Sequence, residues 1–142
     1  MKQQFAAKNP WTILAAGAAI QVLTGIPAAW GVFQQPVMDE YGLSEQGAGY
    51  AFGILIAAFG VGCVLGGFLQ DSRGPRCAGL WGTALLCGGF FAAAMLPGGS
   101  AGTFFLAFSI PAGLGTAFLY PSIQSCAQKW YAGRKGLATG VI

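Results

Sequence analysis

Apolar and small residues run in four long stretches, Trp11–Phe33, Ala48–Leu69, Ala78–Leu96 and Thr103–Ala127, and none of the eleven charged side chains falls inside them. The stretches hold 23, 22, 19 and 25 residues, against the roughly 20 that a helix needs to cross a hydrocarbon core of about 30 Å. Backbone polar groups in lipid must be satisfied within the segment or in a closed barrel. The runs lack the strict alternation of barrel strands, so they predict transmembrane helices. After Lys135 the pattern turns apolar again for seven residues, Gly136–Ile142, which predicts the start of a fifth helix and a chain that is a fragment. A complete four-span protein with an apolar tail is the alternative.

Composition agrees with this picture. Charged residues make up 8% of the chain, where a soluble domain carries roughly 25%, so a soluble globular enzyme is excluded. Charge also sorts by loop. Lys2, Lys8, Arg73, Arg76, Lys129, Arg134 and Lys135 lie at one end of the predicted helices, and Asp39, Glu40 and Glu45 at the other. Basic loops stay on the cytoplasmic side, which predicts a cytoplasmic amino terminus and makes the net charge of +3 a topology signal. The basic residues are scattered rather than clustered with aromatics, so no nucleic-acid partner is expected. A cleaved leader is disfavoured, because only Trp11–Ala15 precede the Ala16-Gly17-Ala18 site, fewer than the 7–15 apolar residues a leader needs.

Candidate chemistry is uncharged. No span carries Asp, Glu, Lys, Arg or His, so no intramembrane charge marks a proton relay. Cys63, Cys77, Cys87 and Cys126 have no metal-binding spacing and the chain has no histidine, which predicts buried free thiols, with no metal and no cofactor. In the fourth span Ser109, Gly113, Thr116, Tyr120 and Gln124 recur at helical spacing and form one polar or small face for a cavity or a helix contact. The first span offers two faces, Gly17, Gln21, Thr24, Ala28 and Gly31 on one side and Trp30 with Gln34 roughly opposite, with Pro27 free to kink between them. Either face could point inward. In the second span Gly49, Gly53, Gly60 and Gly67 share a face, and Gly62 and Gly66 form a G-x-x-x-G pair on another; both predict close helix packing.

The loop after the second span carries a recognisable pattern. Gly67, Leu69, Asp71, Gly74 and Arg76 resemble the cytoplasmic signature of the major facilitator superfamily, with Ser72 where a basic residue usually follows the aspartate and Arg73 one step later. Tyr120-Pro121, Lys129-Trp130-Tyr131, Arg134-Lys135 and Gly136-Leu137-Ala138-Thr139-Gly140 are similar to the oxalate/formate antiporter branch, as is Trp30-Gly31-Val32-Phe33 ahead of Pro36, with Gly31 departing from the branch's pattern. The resemblance implies an all-α polytopic helical membrane protein, with four transmembrane helices plus the start of a fifth, forming part of a six-helix half of a twelve-helix transporter. Residues 1–10 would be a cytoplasmic segment and residues 11–142 a partial amino-terminal transmembrane domain.

The function implied is secondary transport of a small carboxylate by alternating access, with substrate near the midplane between two halves. Helices one and four line that cavity in the family, so Trp30, Gln34, Tyr120 and Gln124, with Gln21 and Thr116, become the expected substrate contacts. Gly67, Asp71, Arg73, Gly74 and Arg76 become the expected cytoplasmic gate. The expected partners are a carboxylate substrate, the lipid bilayer of a bacterial inner membrane and the missing carboxyl-terminal half. A monocarboxylate or sugar transporter of the superfamily, and a small four-span oligomer with a structural role, are the rival expectations. Enzyme activity is not expected, since no nucleophile–base pair or phosphate-cradling loop appears.

Overall fold

The computed structural model describes residues 10–96, 100–131 and 133–141, so the Lys2 and Lys8 of the expected cytoplasmic segment lie outside the described residues. The described residues are helical with no strand. Three helices are long and apolar enough to cross a membrane, Glu45–Arg73, Pro75–Met95 and Ala101–Trp130, and a shorter apolar helix covers Trp11–Thr24.

The first span is two helices, α1 (Pro10–Thr24) and α2 (Trp30–Tyr41), separated by a 3-10 turn at Pro27–Ala29. Pro27 has no N–H to continue the α-helical ladder, and Ile26 N bonds instead to Leu23 O at 3.2 Å. The helical run does not end at Phe33 but continues through Pro36 to Tyr41. Gly42 closes it at φ +60, the left-handed conformation glycine reaches without strain. Ser44 then caps α3 (Glu45–Arg73), its hydroxyl accepting from Gly47 N at 3.2 Å.

Gly74, at φ +86, separates α3 from α4 (Pro75–Met95), and its N–H closes α3 on Gln70 O at 2.9 Å. Pro75 starts α4, where its missing N–H is not needed. The fourth span opens with α5 (Ala101–Phe104), passes through a π turn at Phe105–Ser109 and continues as α6 (Ile110–Trp130). A last helix, α7, covers Lys135–Val141.

Helix α6 is the hub. It runs parallel to α3 and antiparallel to α4, and at both contacts glycine lets backbone meet backbone. On the α3 side a Cβ on Gly62 would lie 2.6 Å from Ala117 Cβ, and one on Gly66 3.2 Å from Phe118 Cα. On the α4 side a Cβ on Gly115 would lie 2.7 Å from Leu86 N, and one on Gly82 2.8 Å from Gly115 O.

Of the two glycine faces expected on the second span, only the Gly62/Gly66 pair packs. Around Gly49, Gly53, Gly60 and Gly67 no atom lies within 4 Å of an added Cβ, so that face is open in this chain. Spacing alone made the two faces equivalent; the neighbour's position separated them.

Two apolar clusters mark the ends of the bundle. Trp30, Leu43, Ala48, Ala51, Leu55, Phe104, Phe108 and Ala112 gather at the end that carries Asp39, Glu40 and Glu45. Leu14, Ala127 and Ala138 gather, with Tyr131 beside them, at the end that carries Lys129 and Arg134. The four cysteines are free, but Cys87 is exposed and the other three are half-buried. The expectation of buried thiols is therefore corrected: none of the four is fully covered by the chain.

Candidate functional site

The break in the first span settles which of its faces points inward. Leu14, Gly17 and Thr24 are buried and Gln21 is half-buried, so the face containing Gln21 turns toward the bundle along α1. After the 3-10 turn the phase has shifted, and Trp30 is buried as well, at 6% exposure. Gly31, by contrast, has nothing within 4 Å of an added Cβ. The break at Pro27–Ala29 lies between the buried Thr24 and the buried Trp30.

The expected substrate contacts therefore divide into groups. Thr24 donates to Gln21 O at 2.9 Å and to Gln21 Oε1 at 3.3 Å, holding the amide against its own helix. Trp30 and Gln34 belong to the end that carries Asp39, Glu40 and Glu45. Trp30 stacks against Phe108 with centroids 6.1 Å apart and lies 5.9 Å from Phe104. Gln34 Nε2 reaches Met38 Sδ at 3.8 Å.

Thr116, Tyr120 and Gln124 follow each other at four-residue spacing along α6, which puts them on one stripe. That stripe is used neither by the Gly113/Ala117 contact with α3 nor by the Gly115/Leu119 contact with α4. Tyr120 is 44% exposed, its ring edge-on to Phe59 at 6.4 Å. Thr116 Oγ1 is buried with no hydrogen-bond partner, an arrangement that leaves a donor available.

Two apolar cavities lie elsewhere, along the groove between the first span and α4. The outer one, about 500 Å³, is walled by Trp30, Tyr41, Phe90, Phe104 and Phe108. The inner one, about 890 Å³, is walled by Leu23, Leu80, Leu119 and Ile123, with Arg76 at its mouth. They share Ile26 and Phe90, and neither takes in Thr116, Tyr120 or Gln124.

At the opposite end from the acids, the Gly67–Arg76 loop is a tight turn between α3 and α4. Asp71, Arg73 and Arg76 are exposed, Ser72 Oγ donates back to Leu69 O at 3.2 Å, and Gly74 sets the bend. With α3 ending at Arg73 and α4 beginning at Pro75, the aspartate stands within a turn of a helix amino terminus, whose free N–H groups favour negative charge.

Of the polar or small face expected on the fourth span, Ser109 is fully buried with its hydroxyl unpartnered and Gly113 packs on Leu55 and Ala58 of α3, so only Thr116, Tyr120 and Gln124 stay together. Sequence reasoning passed over Tyr41, whose OH donates to Ala93 O at 2.5 Å, and the unpartnered Trp30 Nε1.

The sequence profile of the Major Facilitator Superfamily matches residues 2–142. The chain belongs to this superfamily. Among curated relatives, an uncharacterized 38 kDa protein in the 23S RNA operon of Thermoproteus tenax is 32% identical over 130 residues, 91% of this chain and 34% of that protein. The oxalate:formate antiporter of Oxalobacter formigenes is 25% identical over 133 residues, 93% of this chain and 31% of that protein. The chain thus spans about a third of the length of the relatives it matches. Its apolar helices and superfamily membership make it an integral membrane protein.

Proposed function

We propose that this chain is the amino-terminal part of a secondary transporter that moves a small organic anion, oxalate, formate or a similar carboxylate, by alternating access. The observation that carries the reading is the uncharged polar stripe of Thr116, Tyr120 and Gln124, left over after the glycine contacts of α6 are made. An exposed phenol on a membrane helix needs a polar neighbour. A carboxylate in a cavity shared with a second transporter half supplies one. Membership in the superfamily and the likeness to an oxalate:formate antiporter support this choice.

In this reading Tyr120, Gln124 and Thr116 bind substrate by hydrogen bonding, with Gln21, Trp30 and Gln34 completing the wall from the first span. The cationic groups that balance the anion belong to the other half. Gly67, Asp71, Arg73, Gly74 and Arg76 form the cytoplasmic gate, in which the aspartate holds a helix amino terminus in one conformation and releases it in the other. The protein sits in the plasma membrane of a bacterium with its amino terminus in the cytoplasm.

The test is counterflow. The full reading frame is reconstituted in liposomes loaded with oxalate, and entry of labelled formate and oxalate is measured. Exchange that falls on Tyr120→Phe or Gln124→Ala, with unchanged membrane insertion, is the expected result. Absence of exchange for both anions in the wild-type protein refutes the substrate class.

A further inference from the structure

Tyr120 is the most open residue of the polar stripe, 44% exposed, and no hydrogen bond to a described residue holds its hydroxyl. A phenol that is free at its tip can turn about two side-chain torsions. Such a group makes a poor substrate contact, because binding must then immobilise the ring and bear the lost rotamer freedom. What restricts Tyr120 is one neighbouring ring. Phe59 of α3 meets it edge-on, with centroids 6.4 Å apart and planes at 73°.

Phe59 is itself held by the seam beside it. A Cβ on Gly113 would lie 2.8 Å from Ala58 Cβ and 3.1 Å from Phe59 N, and one on Gly62 would lie 2.6 Å from Ala117 Cβ. The backbone of α3 is thus pinned to α6 at the Phe59 amide and again three residues later, which fixes the root of the ring relative to Tyr120. The ring is not what closes that seam. Glycine and alanine close it, and Phe59 stays half-buried beside them. The other ring contacts among the described residues all join one group around Phe104 and Phe108. Phe59 and Tyr120 therefore form an isolated pair, in which an apolar ring from α3 meets the one phenol of the polar stripe.

We propose that Phe59 is a positioning residue, whose ring holds the Tyr120 ring so that the phenol is already oriented when substrate arrives. The inference rests on the reading of Tyr120 as a substrate contact. Phe59 has no hydrogen-bonding side-chain group of its own and acts through the phenol alone. An edge-to-face ring pair changes an equilibrium by about two- to ten-fold, which sets the size of the effect.

Two readouts on the full transporter test it, one of them blind to substrate. In lipid nanodiscs, with 3-fluorotyrosine placed at Tyr120 alone, the fluorine line should narrow in Phe59→Leu as the ring gains motion. It should keep its wild-type width in Phe59→Tyr, which retains the ring. In liposomes, Phe59→Leu should raise KM for formate and oxalate about two- to ten-fold with kcat nearly unchanged, while Phe59→Tyr keeps the wild-type value. In the Tyr120→Phe background, where no phenol is left to orient, Phe59→Leu should add nothing further. An unchanged fluorine line overturns the proposal, and so does a rise in KM that persists in the Tyr120→Phe background. A narrowed line with wild-type KM would leave Phe59 holding the ring and remove Tyr120 from the substrate site. With no exchange of either anion the substrate class falls, and the fluorine line alone decides whether Phe59 positions Tyr120.

Discussion

Replacing Gly115 with alanine puts the central seam under a direct test. A Cβ there would stand 2.7 Å from Leu86 N, 2.8 Å from Gly82 O and 3.0 Å from Leu86 Cα, all backbone atoms of α4. Ordinary contact begins at 3.4 Å, so α4 must retreat by at least 0.7 Å. A rotamer change cannot relieve the clash, because no side chain is involved. Overpacking that shifts backbone costs about 1–3 kcal/mol, partly offset by the roughly 1 kcal/mol that alanine gains over glycine in a helix.

Gly53 is the matched control, since nothing lies within 4 Å of its Cβ position. There only the propensity gain remains. Unfolding in mixed micelles, followed by helical circular dichroism against rising SDS, should place Gly115→Ala below wild type and Gly53→Ala at or above it. The gap between the two variants should be about 1–3 kcal/mol, because the propensity gain is common to both. Equal midpoints for both variants would mean that α4 and α6 do not approach as described, and the hub role of α6 would fall.

Gly74→Ala must place a side chain at φ +86, a conformation costing on the order of 1–3 kcal/mol outside glycine, and the same titration should report that loss even though nothing crowds the position. Asp71→Asn removes a charge-to-dipole contact worth about 0.3–1 kcal/mol in one conformation. The full transporter should show several-fold slower exchange with intact insertion, and wild-type exchange by this variant would dismiss the gate assignment.

The helical membrane class was legible in the sequence because charge is excluded from long apolar runs by the energetics of the bilayer itself, which act on each segment separately. Local chemistry was equally readable: Pro27 announced the break in the first span, and Gly74-Pro75 the turn between α3 and α4. What periodicity could not supply was the choice between faces. Gly62 and Gly53 are the same residue on the same helix, yet one meets Ala117 and Leu114 while the other meets nothing. Gln21 and Trp30, assigned to roughly opposite faces of the first span on either side of Pro27, both turn inward or partly so because the helix breaks between them.

These failures have one physical origin. In lipid, apolar side chains gain little by turning toward protein, so hydrophobic pattern carries little information about which face is inside. The information lies in where a neighbouring backbone can approach, and that depends on pairs of small residues on two helices at once. Gly113 and Gly115 on α6 select their partners, Leu55 with Ala58 on α3 and Gly82 with Leu86 on α4. Once those two seams are fixed, helical geometry leaves Thr116, Tyr120 and Gln124 on the remaining stripe. Of the face read from the fourth span, Gly113 enters the α3 seam and Ser109 is fully buried, so the seams leave only these three residues together, and a variant that breaks the Gly115 seam should disturb substrate exchange as well as stability.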